Sequence, residues 1–206
     1  MNIEPIKLLS GSHADTAQTG HGCFMNVIAY LNGEPQITDQ SPCVCVYVRP
    51  LAIRLNDCGT GEQRQRLLPF VMRAMGSATE DKAVMASRRA RLREYGEECH
   101  QIVLAWKAEM KTKDPKGYAY ANANAYADAN AYAYANAYVN ANAYADAYAD
   151  ADAYANAHAH ACAARLKASL FDAGMRYLDD VLPPAEPVCG VVAERCETLK
   201  QLQGVA

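Results

Sequence analysis

From Tyr118 to Cys162 almost every second residue is alanine, and this Ala-X tract constrains the fold more than any other feature of the chain. Its odd positions hold Ala except at Val139, and its even positions hold Tyr, Asn, Asp, His and one Cys. Because it contains no Leu, Ile or Phe, the tract has little side-chain surface to bury. We therefore expect it to separate two conventional helical flanks and to contribute little to a core.

Three conformations compete for the tract, and a helix is favoured. Half of its positions are Ala, the best helix former, and Asp114-Pro115 supplies an N-cap and a first-turn proline just before it. Alternation is the native period of a strand, so a β-stack or solenoid is the alternative. No Gly or Pro lies between positions 118 and 162 to mark turns, which counts against strands. Disorder is the third conformation.

The residue types of the tract also have an explanation in DNA. The codons for Tyr, Asn, Asp and His all end in A followed by a pyrimidine, and Val139 and Cys162 are each one base change from the prevailing codons. A repeated six-base unit with a drifting first codon base would produce this sequence. The tract could therefore record expansion of DNA as well as selection of side chains.

The sequence before the tract predicts a flexible arm over residues 1–20 and a helical domain over residues 21–113. A first helix over 22–32 ends at Gly33, and a second begins at Ser41-Pro42, is kinked by Pro50 and ends at Gly59. A third helix is interrupted by Pro69 and begins with a capping box made by Thr60 and Gln63.

The clearest conventional element is a long amphipathic helix over residues 79–112. Ser77 and Glu80 have the spacing of a capping box. Apolar residues then recur every three or four positions, namely Leu92, Tyr95, Cys99, Ile102, Val103, Trp106 and Met110. This stripe requires a partner surface, which we expect the earlier helices to supply.

Beyond the tract, the pattern predicts a pair of helices over 163–182 and 190–203, the first ended by Pro183-Pro184. The predicted fold class is therefore mainly α, in four segments. These are the arm (1–20), the N-terminal helical domain (21–113), the Ala-X arm (114–164) and a C-terminal helix pair (165–206).

Charge and cysteine content narrow the classes of function. The chain has 20 basic and 23 acidic residues, which is no strong electrostatic signature for nucleic acid or membrane binding. We expect no signal peptide and no membrane span, because neither a leader pattern nor an uncharged apolar run of sufficient length occurs. The eight cysteines are then expected to be reduced thiols in a cytoplasmic protein without a cofactor.

Cys23 is the weak candidate for a catalytic residue. It follows Gly22 at a predicted helix N-terminus, where the thiol pKa is lowered and a nucleophile is favoured, and His100 could act as a distant base. A small residue at a crowded helix start explains the same sequence, and is the favoured interpretation.

Two groups of residues have the chemistry of weak zinc sites. His158, His160 and Cys162 would share one face of a strand, although the repeat itself accounts for these residue types. The second group has His-x-Cys and Cys-x-Cys spacings that are short for structural zinc, and consists of His21, Cys23, Cys43, Cys45 and Cys58.

Four arginines at the start of the long helix form a candidate nucleic-acid site through phosphate contact, namely Arg88, Arg89, Arg91 and Arg93. A solvated polar face opposite the apolar stripe is the favoured interpretation. Glu94, Glu97 and Glu98 lie nearby and could pair with the arginines.

The run Gly22-Cys23-Phe24-Met25-Asn26-Val27, followed by Cys43 through Asp57, resembles an uncharacterised family of bacteria and their phages. Members of that family also have Ala-rich tracts studded with Tyr and Asp before a last helix. The resemblance covers residues 20–76 and the style of the tract, and departs from the family at Val46 and Tyr47, where a proline is expected. It implies an accessory protein linked to a phage or mobile element, and it implies no catalytic role.

The leading hypothesis is a non-enzymatic structural or interaction protein, in which the tract is a spacer or a binding face for an unknown protein partner or for self-association. The alternatives are a nucleic-acid accessory protein acting through Arg88–Arg93 and a thiol enzyme acting through Cys23.

Overall fold

The computed structural model describes residues 6–113, 160–184 and 190–204, which form helices joined by turns and non-helical segments. The prediction of a mainly α fold is confirmed. In chain order, the helices of these ranges are α1 (Thr16–Thr19), α2 (Phe24–Asn32), α3 (Arg49–Cys58), α4 (Gly61–Gln65), α5 (Leu68–Ala74), α6 (Lys82–Lys113), α7 (His160–Val181) and α8 (Gly190–Leu202). They belong to two compact units, one formed by Met1–Asp81 with Leu178–Ala206 and the other by Lys82–Tyr177.

The first unit is built around α2, which packs against α1, α3, α5 and α8. Seven of the nine residues of α2 are buried, including Phe24 and Ile28, as expected of a mainly apolar helix at the centre of a unit. The predicted helix over 22–32 is confirmed. It ends as predicted at Gly33, whose φ of 74° lies in the left-handed region that glycine tolerates best.

The prediction of a loose arm is wrong for residues 6–20. Ile6 and Leu8 are buried, and the side-chain amide of Gln65 both accepts a hydrogen bond from the Leu8 N–H and donates one to the Leu8 carbonyl, each at 3.0 Å. Gln203 on the chain after α8 does the same for Lys7, at 2.7 and 3.0 Å. Two glutamines thus satisfy the backbone of an extended segment, a role that polarity alone does not reveal.

Proline and capping residues explain the boundaries of α3 and α4. Pro50 occupies the first turn of α3 and begins that helix, so the predicted kinked helix from Ser41-Pro42 is wrong, although it ends at Gly59 as predicted. The predicted capping box at Thr60 is confirmed, since the Gln63 N–H donates to Thr60 Oγ1 at 3.2 Å and the Thr60 N–H donates to Gln63 Oε1 at 3.0 Å.

The long helix α6 begins at Lys82, later than the sequence predicts, and Ser77 does not cap it. Ser77 is buried in the first unit, where its hydroxyl oxygen accepts a hydrogen bond from the Cys45 N–H at 3.0 Å. The apolar stripe itself is confirmed, with Leu92, Tyr95, Cys99, Trp106 and Met110 all buried.

Within the second unit, the partner of this stripe is α7. The ring centroids of Tyr95 and Tyr177 lie 5.3 Å apart, and Arg176 pairs with Glu98 at 2.5 Å. Farther along, Arg165 pairs with Glu109 at 2.7 Å. Residue numbers rise along α6 as they fall along α7, so the two helices run antiparallel.

The two helices expected after the tract, over 163–182 and 190–203, are confirmed as α7 and α8. Residues of α7 up to Tyr177 belong to the second unit, where they pack on α6, whereas α8 packs on α1 and α2 in the first unit. The helical conformation favoured for the tract is present in the backbone of residues 160–162, which begin α7. The remainder of the tract, with the expected arm boundary at residue 114, lies outside the described residues.

Candidate functional site

Cys23 lies in a network of side chains that joins three turns of the first unit. Its Sγ donates to Asp39 Oδ1 at 3.5 Å, and its backbone N–H donates to Asn26 Oδ1 at 3.4 Å. Asn26 also accepts from the His13 N–H at 2.7 Å and donates to Asp39 at 3.1 Å, while the Ser12 hydroxyl donates to Asp39 at 3.0 Å. The network thus fastens the start of α2 to the turns before and after it.

Burial deprives Cys23 of the reactivity that its helix position suggests. The thiol is only 3% exposed, and burial raises its pKa to about 12, with the Asp39 carboxylate adding to the rise. The backbone N–H groups of Asn26 and Met25 lower the pKa, but burial is the larger effect. At neutral pH the sulfur is therefore a protonated donor to Asp39, which does not favour a thiol nucleophile at this position. His100, the proposed base, lies in the second unit.

The zinc hypotheses are not supported by the described residues, among which no three or more His, Cys, Asp or Glu side chains could hold a metal ion together. Cys43 contacts the Ser41 hydroxyl at 3.1 Å. Of the group formed by His158, His160 and Cys162, His158 lies outside the described residues. The backbone at positions 160 and 162 is helical, so the extended geometry that would place these residues on one face is missing there.

The arginine cluster of α6 does not form a uniform basic face. Arg88 is buried, at 8% exposure, and Arg91 lies 3.9 Å from Glu94 and 3.8 Å from Glu98. Arg89 and Arg93 are the exposed members. The predicted pairing with glutamates is therefore confirmed for Arg91, and phosphate contact by all four arginines would require Arg88 to leave its buried position.

The end of the α6–α7 pair at which the tract leaves and returns carries a compact group of charges. Glu109 Oε1 accepts from Lys113 Nζ at 2.6 Å and from the Arg165 guanidinium at 2.7 Å. Hydrogen bonds from these two cations lower the pKa of Glu109 to about 2. The carboxylate thus joins the last turn of α6 to the beginning of α7. We call Glu109, Lys113 and Arg165 the closing triad.

A groove beside the closing triad has a volume of about 310 Å³ and is lined mainly by apolar side chains of α6 and α7, among them Ile102, Trp106 and Leu166. Residue spacing in the sequence indicates the Trp106 stripe but not the closing triad, because Glu109 and Arg165 lie on opposite sides of the tract. The available signal was a pair of opposite charges, Glu109 before the tract and Arg165 after it.

The first unit has a larger cleft, of about 590 Å³, between the ends of α1 and α2, the turn that follows α2, and α8. Arg195 of α8 lines it and donates from Nη1 to the Leu31 carbonyl at 3.0 Å. No local pattern in the sequence marks Arg195 as a functional residue.

Comparison with known protein families, curated proteins and solved structures gives no match. Among the described residues, no helix is both long enough and apolar enough to cross a membrane. Function is therefore inferred from the geometry of the chain itself.

Proposed function

We propose that this protein is a non-enzymatic interaction protein in which the α6–α7 helix pair presents the Ala-X tract to a macromolecular partner, as an accessory of a phage or mobile element. The observation that carries the proposal is the antiparallel pairing of the two helices that flank the tract. The chain leaves α6 at Lys113 and returns into α7 at His160, and Arg165 contacts Glu109 near both points.

The packing of the pair supports a framework that is independent of the tract. Tyr95, Trp106 and Met110 on α6, with Leu170 and Tyr177 on α7, are all buried within the second unit. Burial of large aromatic and aliphatic side chains is the main source of stability in such a pair, at roughly 1.5–3 kcal/mol for each side chain. The framework can then hold both ends of an inserted segment at one place.

The composition of the tract supports recognition. Nine of the 13 tyrosines of the chain lie between positions 118 and 162, alternating with Ala among Asn and Asp. Tyrosine contributes a large, rigid contact area with a polar end, which is why it is enriched at protein interfaces. Neither alternative function has comparable support, because Cys23 is protonated and Arg88 is buried.

Photo-oxidative tyrosine cross-linking tests the proposal, because it acts on the residue type that the tract concentrates. The full chain would be compared, in bacterial cells and after purification, with a chain in which residues 114–159 are replaced by a short Gly-Ser linker. We expect cross-linked species of higher mass with the full chain and their loss with the linker. Cross-linked species that form when the full chain is purified, with no other protein present, would identify self-association. The same cross-links from both chains would refute a role for the tract in binding.

A further inference from the structure

We propose that the cleft of the first unit binds a small organic carboxylate through Arg195. This inference is independent of the Ala-X tract and goes beyond the proposed function. The cleft volume of about 590 Å³ lies within the range of about 300–1,000 Å³ that is typical of small-molecule sites.

The guanidinium of Arg195 is held in position by the end of α2. Nη1 donates to the carbonyl of Leu31, one of the last carbonyls of α2, which has no partner within its own helix. Gly33 leaves the space that the guanidinium occupies, since a Cβ at this position would collide with both terminal nitrogens. The positively charged group is therefore oriented before any ligand arrives, which reduces the ordering cost of binding.

Most of the hydrogen-bonding capacity of Arg195 remains available. A guanidinium has five N–H donors, and within residues 6–113, 160–184 and 190–204 the one protein acceptor of Arg195 is the Leu31 carbonyl. No carboxylate of these residues forms an ion pair with it. A half-buried arginine that faces a cleft in this way matches a planar two-oxygen anion.

The walls of the cleft favour a carboxylate with an apolar body over a phosphate. Ala17, Pro35 and Ile37 supply apolar surface, and the half-buried ring of Tyr30 lines the same space. Glu34 also lines the cleft, with Oε1 accepting hydrogen bonds from the Ser41 hydroxyl and from Asn32 Nδ2. The negative charge of Glu34 would repel a doubly charged phosphate more strongly than a singly charged organic carboxylate.

Amide chemical-shift titrations of the ¹⁵N-labelled full chain test the site, with sodium benzoate, acetate and phosphate as probes at constant ionic strength. We expect benzoate to shift the amides of residues 33, 34, 36–38 and 195 saturably, with a dissociation constant on the order of 1 mM. Acetate should bind more weakly, because it lacks the apolar body, and phosphate more weakly than benzoate. The proposal fails if benzoate gives no saturable shift at the cleft. Phosphate binding as tight as that of benzoate would overturn the ligand class.

Two variants test whether benzoate binding depends on the guanidinium of Arg195. Arg195→Lys keeps the charge and a donor for the Leu31 carbonyl, so the fold should remain, but it cannot form two parallel hydrogen bonds. We expect benzoate binding to weaken about tenfold. Arg54→Gln, an exposed position on α3, removes a charge from the same unit and should leave binding unchanged. Equal affinity for Arg195→Lys and the natural chain would refute the assigned role of Arg195, with circular dichroism establishing that both are folded.

Discussion

The rings of Tyr95 and Tyr177 pack against each other across the α6–α7 pair at a tilt of 40°, although the whole Ala-X tract lies between them in the chain. Both side chains are fully buried, at 1% and 0% exposure. This contact shows that the tract is an insertion within one helix pair and does not separate two independent helical flanks.

Truncation of this contact should destabilise the second unit. We expect Tyr177→Ala to lower the free energy of unfolding by about 3–5 kcal/mol, because it leaves a large cavity beside Tyr95. Tyr177→Phe retains the ring and should cost only about 1 kcal/mol. Urea denaturation monitored by the fluorescence of Trp106, the one tryptophan of the chain, measures both effects. Equal stability of Tyr177→Ala and the natural protein would contradict the packing described.

The contribution of the closing triad should depend on pH. The pKa of Glu109 is lowered from its usual 4.5 to about 2 by hydrogen bonds from Lys113 and Arg165. A group with a lowered pKa stabilises the folded state above its unfolded pKa, and that stabilisation is lost as pH falls through the folded value. Glu109→Gln should therefore be less stable than the natural chain at pH 7, with the difference shrinking between about pH 4.5 and pH 2. A difference that is constant over this interval would contradict the ion-pair account.

Arg73 should stabilise the last turn of α7 and the two residues that follow it. Its guanidinium donates to the backbone carbonyls of Asp179, Leu182 and Pro183, each at 2.8 Å, and pairs with the Asp179 carboxylate at 2.5 Å. Arg73→Ala leaves those carbonyls without their donor, and we expect the free energy of unfolding to fall by about 1–2 kcal/mol, because water can reach the exposed carbonyls of Asp179 and Pro183. Asp179→Ala removes an exposed carboxylate alone and should cost less than about 1 kcal/mol.

Amide hydrogen exchange at residues 178–182, with urea denaturation, distinguishes these two variants. Arg73→Ala should accelerate exchange there much more than Asp179→Ala. If the two variants behave alike, the ion pair and not the carbonyl contacts would hold this segment.

Cys23 should be inert in the folded protein. Burial and the Asp39 carboxylate raise its pKa to about 12, so the reactive thiolate is scarce at neutral pH. We expect iodoacetamide at pH 7.5 to modify the half-buried Cys43 and Cys58 before Cys23, and Cys23 to react at the rate of a free thiol only in urea. Mass spectrometry of peptides provides the measurement. Fast, selective labelling of Cys23 in the native state would restore the thiol-enzyme hypothesis.

Local signals in the sequence predicted local structure. The Thr60–Gln63 box, the end of α2 at Gly33 and the stripe on α6 each depend on residues a few positions apart, so spacing is sufficient to identify them. The predicted Ser77–Glu80 capping box was wrong, because the same spacing also occurs where the serine hydroxyl forms a tertiary contact. The Ser77 hydroxyl accepts a hydrogen bond from the Cys45 N–H.

The long-range pairings could not be predicted from spacing. Gln65 pairs with the backbone of Leu8 across 57 residues, Gln203 pairs with that of Lys7 across 196, and Arg195 contacts the end of α2 across 164. The sequence around a polar side chain does not indicate which distant backbone group it will hydrogen-bond. The Ala-X tract obscured the α6–α7 pairing in particular, because its length suggested a boundary where the fold has an insertion.

The central claim, that the helix pair is a framework closed independently of the tract, is tested most directly by replacing residues 114–159 with a Gly-Ser linker of about six residues. Urea denaturation followed by Trp106 fluorescence would be compared with that of the full chain. A shorter loop costs less entropy to close, so we predict that the linker chain is more stable by roughly 1–2 kcal/mol, with an unchanged native spectrum. A linker chain that is less stable, or that has lost the buried environment of Trp106, would show that the framework depends on the tract and would contradict the account.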